Sequence, residues 1–270
     1  MRALACLAIL TTLAAASSAP AAPQVAVRKV DVERTQFRIT LADGRVLAQN
    51  ELPGVKITFG DGSGRGRVVR IDTVEPDPKD ASGEIMLYSM SEQDPASGEW
   101  RNICLPDREG KRLGFPLSGR FTPDGRYEAE PGRLLITCTG GADGKCVRFG
   151  YKPWGEAPDG TPLSEAYKAC VRLVRADYAG DGRGTTRNGQ PIDIYDSLGV
   201  EAPADDSAYE FEAGFDALGT VCVRHVRVKE NATLAEVEAS NPPLYGRVGE
   251  ICDEAYARAL GAILLVRSPP

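Results

Sequence analysis

The chain has 270 residues, 42% of them hydrophobic and 26% charged, with a formal net charge of −6. A chain this long can bury roughly 70–75% of its unfolded surface, so it needs neither metals nor bridges merely to own a core. Its 38 acidic against 32 basic residues argue against nucleic acid or an anionic membrane as partner, because phosphate binding needs a concentrated basic face.

The first 21 residues read as a secretory signal: Arg2 as the positive start, an apolar stretch from Ala3 to Ala16, then a small-x-small site at Ala19-Pro20-Ala21. The apolar stretch is too short to span a bilayer, and no later run approaches the roughly 20 residues that a membrane helix needs. No membrane span is therefore expected, and the protein is expected to be exported, to the periplasm or beyond the cell.

Residues 22–83 form an N-terminal β-rich region. Phe37, Ile39 and Leu41 alternate before an Asp43-Gly44 turn and a return through Val46-Leu47, a hairpin signature. Val55–Phe59 and Arg67–Val74 flank the loop Gly60–Gly66, which carries Arg65 and predicts a solvated hairpin rather than a phosphate cradle, since no helix follows it. Residues 84–268 form the second, cysteine-containing region. Glu84–Met90, Arg133–Thr139 and Lys145–Tyr151 read as strands, and Asp124-Gly125 as a turn.

Helices enter only later. Thr161 and Pro162 offer an N-cap and first position, and Leu163, Ala166, Tyr167, Cys170, Val174 and Tyr178 recur at helical spacing until Gly180. Tyr209–Ala213 and Thr220–Val228 predict another hairpin, Thr233-x-x-Glu236 opens a short helix by a capping box, Glu250–Leu260 forms the last helix, and Ile263–Val266 closes as a strand. The fold class expected is α+β, mostly antiparallel β with two or three short helices in the C-terminal half, stapled by disulfides.

Beyond the leader stand Cys104, Cys138, Cys146, Cys170, Cys222 and Cys252. In an exported chain this even set predicts three bridges among fifteen possible pairings, and Cys138 and Cys146 are close enough to join across Thr139–Lys145. There is no Cys-x-x-Cys, and His225 is the only histidine, so no metal and no other cofactor is expected. For the same reason any triad would have to use His225, which sits among valines in a strand pattern, and there is no Gly-x-Ser-x-Gly elbow.

The densest local chemistry is Asp177 and Asp181 after the central helix, with Asp193 and Asp196 beyond. Asp177 follows Cys170 by seven positions, which places a carboxylate on the inward stripe of its helix. It can be pinned by backbone N–H groups or an arginine, ligate calcium together with the other three, or act in a carboxylate pair; structural pinning is the preferred reading.

The helix Cys170-Val171-Arg172-Leu173-Val174-Arg175-Ala176-Asp177-Tyr178 with Gly180-Asp181-Gly182 resembles the hallmark of the bacterial ADYC domain family. The segments Lys145-Cys146-Val147-Arg148, Gly150-Tyr151-Lys152-Pro153-Trp154, Thr186-Arg187-Asn188-Gly189 and Phe211-Glu212-Ala213-Gly214 are similar to the family on either side of that helix. Ala179 stands where the family's cysteine is expected, and Tyr167 where a histidine is. The resemblance implies an exported domain over 84–268 and no particular reaction. The function expected is thus a non-catalytic extracytoplasmic module, binding an envelope or extracellular partner or serving structurally. Its competitor is an envelope hydrolase built on Asp177, Asp181, Asp193 and Asp196, with or without calcium.

Overall fold

The computed structural model describes residues 26–60, 66–204 and 208–269. The leader expected over 1–21 and Arg65 lie outside them. The described residues open with the antiparallel ribbon β1 (Val27–Glu33) and β2 (Gln36–Leu41), turned at Arg34-Thr35. Phe37, Ile39 and Leu41 do alternate inward, but their partner is β1; the Asp43-Gly44 turn ends in a single bridge from Thr40 to Val46. The expected return of Val46-Leu47 does run along the other edge of β2, where the Leu41 N–H donates to the Arg45 carbonyl and the Leu47 N–H to the Ile39 carbonyl, both at 2.9 Å.

The next strands are β3 (Lys56–Gly60), β4 (Gly66–Pro76), β5 (Met86–Gln93), β6 (Trp100–Asn102) and β7 (Gly114–Ser118). After the two-residue pair β8 (Arg120–Phe121) and β9 (Tyr127–Glu128), whose turn holds Asp124-Gly125, comes β10 (Leu134–Cys138). They assemble an antiparallel sheet in the order β10-β7-β5-β4-β3, with β6 beside β5. β4 and β5 pair across the division at residues 83 and 84, and Phe37, Ile71, Leu87, Phe115, Leu173 and Val266 belong to one core cluster.

Two short helices follow, α1 (Ala142–Arg148) and α2 (Ser164–Arg175). α1 corrects the strand expected over Lys145–Tyr151. Asp143 in its first turn and Lys145 and Arg148 in its last complement the helix dipole, while Cys146 and Val147 are buried together on one side. The helix also removes the suggested Cys138–Cys146 link. Cys138 is bonded to Cys104, Cys146 to Cys170 on α2, and Cys222 to Cys252.

α2 begins at Ser164 rather than at Pro162, and it ends at Ala176, which adopts the left-handed conformation at φ 51°. Asp177 therefore lies past the helix end, not on its inward stripe. The rest of the chain is β11 (Asp193–Asp196), β12 (Glu210–Phe215), β13 (Thr220–Val223), α3 (Leu234–Ser240), α4 (Glu254–Ala259) and β14 (Leu264–Ser268). The second sheet runs β11-β14-β12-β13. β13 stops at Val223 instead of Val228, and a 3-10 turn at Gly249–Ile251 precedes α4, splitting the helix expected over Glu250–Leu260. The Thr233–Glu236 capping box forms as read, with the Glu236 N–H donating to Thr233 Oγ1 at 3.2 Å. Among the described residues no helix is long and apolar enough to cross a membrane.

Candidate functional site

The residues around Asp177 form a closed hub. At the left-handed turn the Asp177 N–H donates to the Arg172 carbonyl at 2.9 Å, which swings the carboxylate back along α2. There Arg172 Nη1 donates to Asp177 Oδ2 at 2.6 Å, and the Gly182 N–H reaches the same oxygen at 3.0 Å. Both side chains are 2% exposed. Burial raises the Asp177 pKa above its ordinary value, and the Arg172 charge opposes that rise. Arg172 Nε also donates to the Ala217 carbonyl at 3.1 Å, while Arg172 Nη2 and Asp177 Oδ1 make no hydrogen bond, Nη2 lying 3.7 Å from the Asp124 carboxylate.

Tyr178 enters a second buried network. Its hydroxyl donates to Glu212 Oε1 at 2.9 Å and accepts the Arg227 N–H at 2.8 Å. Arg227 grips both Glu212 oxygens at 2.9 Å and donates to the Leu173 and Val174 carbonyls at 3.0 and 3.2 Å, closing the C-terminal end of α2. Gly180 (φ +71°) lets the loop pass the 216–219 turn, because a Cβ there would sit 2.0 Å from the Leu218 carbonyl oxygen. The Ala176-Asp177-Tyr178 run with its glycines is thus a junction at which α2, the Asp124-Gly125 turn and the second sheet are tied together.

The four carboxylates read from the sequence do not converge. Asp181 stays in the same turn as Asp177, near enough for its charge to act on it, but it is exposed and accepts the Arg183 N–H at 2.8 Å. Asp193 and Asp196 lie three apart on β11, so they point to opposite faces of the strand. Asp193 accepts the Ala204 N–H, while Asp196 accepts the Tyr151 hydroxyl at 2.7 Å and the Leu198 and Glu201 N–H groups at 2.6 and 2.9 Å. Among the described residues no group of three or more His, Cys, Asp and Glu is placed to hold a metal ion. His225 Nε2 is buried with no partner.

A cleft of about 450 Å³ opens elsewhere, between the β4–β5 connection and the segment that follows α1. Its charged walls are Lys79, Asp80, Glu84, Arg148, Lys152 and Glu156, with Val147, Phe149 and Leu163 as the apolar lining. Lys152 Nζ donates to Asp80 Oδ1 at 3.0 Å, Ser82 Oγ at 2.7 Å and Glu84 Oε2 at 2.9 Å, so all three of its donors are used. Burial acts to raise the Asp80 pKa, but hydrogen bonds from Ser82 and Lys152 outweigh it and bring it down to about 2. The Lys152 hydrogen bond likewise lowers Glu84.

Arg148 holds the wholly buried carboxylate of Asp77 through Nε at 2.6 Å and Nη2 at 3.2 Å. Asp77 in turn accepts the Lys79 N–H at 3.0 Å. Sequence reasoning missed these residues, because the partners stand 68 to 72 positions apart. The one available signal was that Arg148 and Lys152 lie in a segment already singled out by resemblance.

A model of the ADYC domain matches residues 49–229. The match covers the whole cleft and the hub, and it starts 35 residues before the boundary read at residue 84. Neither a curated protein nor a solved structure matches the chain.

Proposed function

The chain belongs to the ADYC domain family, and on that premise we propose that it is a non-catalytic module, exported to the periplasm or the extracellular space, that binds an envelope or extracellular component. The observation that carries this reading is the closure of the acidic chemistry. Asp177 is spent on Arg172 inside the protein, away from the cleft, and the cleft lysine has every donor engaged. Lys152 is held between the carboxylates of Asp80 and Glu84, which together with the Ser82 hydroxyl occupy its donors.

Three disulfides support the export reading, since such bridges persist in oxidising compartments. Among the described residues all six cysteines are paired and supply no free thiol to a reaction. The test is turnover of a panel of peptide, ester and glycan substrates by the processed protein. The expected result is none. Turnover that disappears in Asp177→Asn, with the fold intact by circular dichroism, would refute the proposal and restore the carboxylate hydrolase.

A further inference from the structure

The cleft carries chemistry that its own walls do not consume. Three cations and three carboxylates line it, and most of them neutralise one another in pairs. Lys152 is saturated by Asp80, Ser82 and Glu84. Arg148 is only half used. Asp77 takes Nε and Nη2, and no protein acceptor among the described residues meets Nη1.

The Arg148 side chain is 14% exposed and held bidentately by a carboxylate of zero exposure, so its remaining N–H edge is fixed in direction before any guest arrives. Lys79 stands at the same cleft, 55% exposed, with one donor in a close hydrogen bond to Glu109, whose charge together with that of Asp107 also acts on Arg148. On the lining from the other segment, Glu156 is exposed and has no ion-pair partner among the described residues. Between them Val147 and Leu163 are buried and Phe149 is partly so, an apolar floor.

We propose that this cleft binds a short peptide or amino acid as a zwitterion, its carboxylate on the free edge of Arg148 with Lys79, its ammonium on Glu156, and a small apolar side chain on the floor. The volume, about 450 Å³, falls within the range of small-ligand sites and is far below that of a folded partner's interface. Equal numbers of cations and carboxylates on the lining give a guest of net charge no advantage, whereas a guest with both signs can answer both unused groups. A neutral sugar would leave Glu156 and the Arg148 edge without charged partners. The inference rests on the reading of the protein as a binding module and specifies its ligand class.

The experiment is isothermal titration of the exported, oxidised protein with alanyl-alanine, its N-acetyl form and its C-terminal amide. The expected result is saturable binding of the free dipeptide and roughly tenfold weakening by either cap, the loss of one charge-assisted contact. Glu156→Gln, an exposed change that leaves the fold intact, weakens the free dipeptide to the level of its N-acetyl form. Arg148→Lys, which keeps a charge against Asp77 but loses the planar edge, weakens all forms that carry a carboxylate.

Equal affinity for the free and N-acetyl peptides, or no effect of Glu156→Gln, would overturn the zwitterion, as would absence of saturable heat at millimolar peptide. Hydrolysis of the dipeptide would instead sink the non-catalytic reading. Failure to bind it, with no turnover of any substrate, would leave that reading standing and remove only this ligand class.

Discussion

Truncating Asp177 to alanine strands a guanidinium inside the protein. Arg172 loses its Nη1 acceptor at 2.6 Å, and the Gly182 N–H loses its own at 3.0 Å. The nearest other carboxylate, Asp124, lies 3.7 Å from Nη2 and is already engaged by Arg126. Removing one partner of a buried pair costs about 3–5 kcal/mol, because the remaining charge is desolvated and uncompensated. The lower end applies here, since Arg172 Nη2 and Asp177 Oδ1 already lack hydrogen bonds and the native bridge is incompletely satisfied.

At about 2–4 °C per kcal/mol for a domain of this size, the midpoint should fall by roughly 10 °C. Replacing both partners, Arg172→Met with Asp177→Leu, should recover most of that loss, because no orphan charge remains. Urea unfolding of the four proteins of the cycle measures the coupling directly. A penalty for Asp177→Ala below about 1 kcal/mol, with an unchanged m-value, would refute the reasoning that the hub is structural.

Burial lifts the Asp143 pKa to about 6, against the opposing charge of Arg175. The folded state therefore holds this proton where the unfolded chain has released it, so stability contributed by the group is full below about pH 4 and lost as pH rises through 6. Asp143→Asn should stabilise the protein at pH 7 by about 1–2 kcal/mol, discounted for partial exposure, and should remove the slope between pH 4 and 6 in denaturant midpoints. Gly180→Ala, whose Cβ would lie 2.0 Å from a backbone oxygen, should cost more than about 3 kcal/mol. Gly160→Ala, at φ +84° with open space around it, should cost only about 1 kcal/mol; equal losses would show that the close approach is unimportant. Replacing Cys146 and Cys170 together by alanine opens a loop of 24 residues and should cost about 3 kcal/mol in calorimetry by the chain-entropy estimate.

Strand alternation was legible at Phe37–Leu41 and in the pair β3 and β4 because one face of each is buried, and period two survives whatever the partner. The capping box at Thr233 was legible because both of its members lie within one turn. The run Val147, Phe149 and Tyr151 misled, since three apolar residues at alternate positions fit a strand as well as a helix end followed by a loop. A disulfide to α2 and the packing of Val147 chose the helix. Helical spacing predicts an inward Asp177. It is inward, but by a left-handed turn at Ala176 that no periodicity announces.

What the sequence by itself determined was local: the periods that make strands and helices, the turn and cap residues, the six cysteines from Cys104 to Cys252, and the hallmark that places the chain in its family. What only the tertiary structure decided was which distant groups meet. Arg148 finds Asp77 across 71 positions, Arg227 finds Glu212 across 15, and each cysteine chooses one partner of five. The physical reason is that periodicity records whether a side chain faces the core, whereas the energy of a buried charge depends on what else faces it there, and that is set only when the two sheets and α2 close on one another.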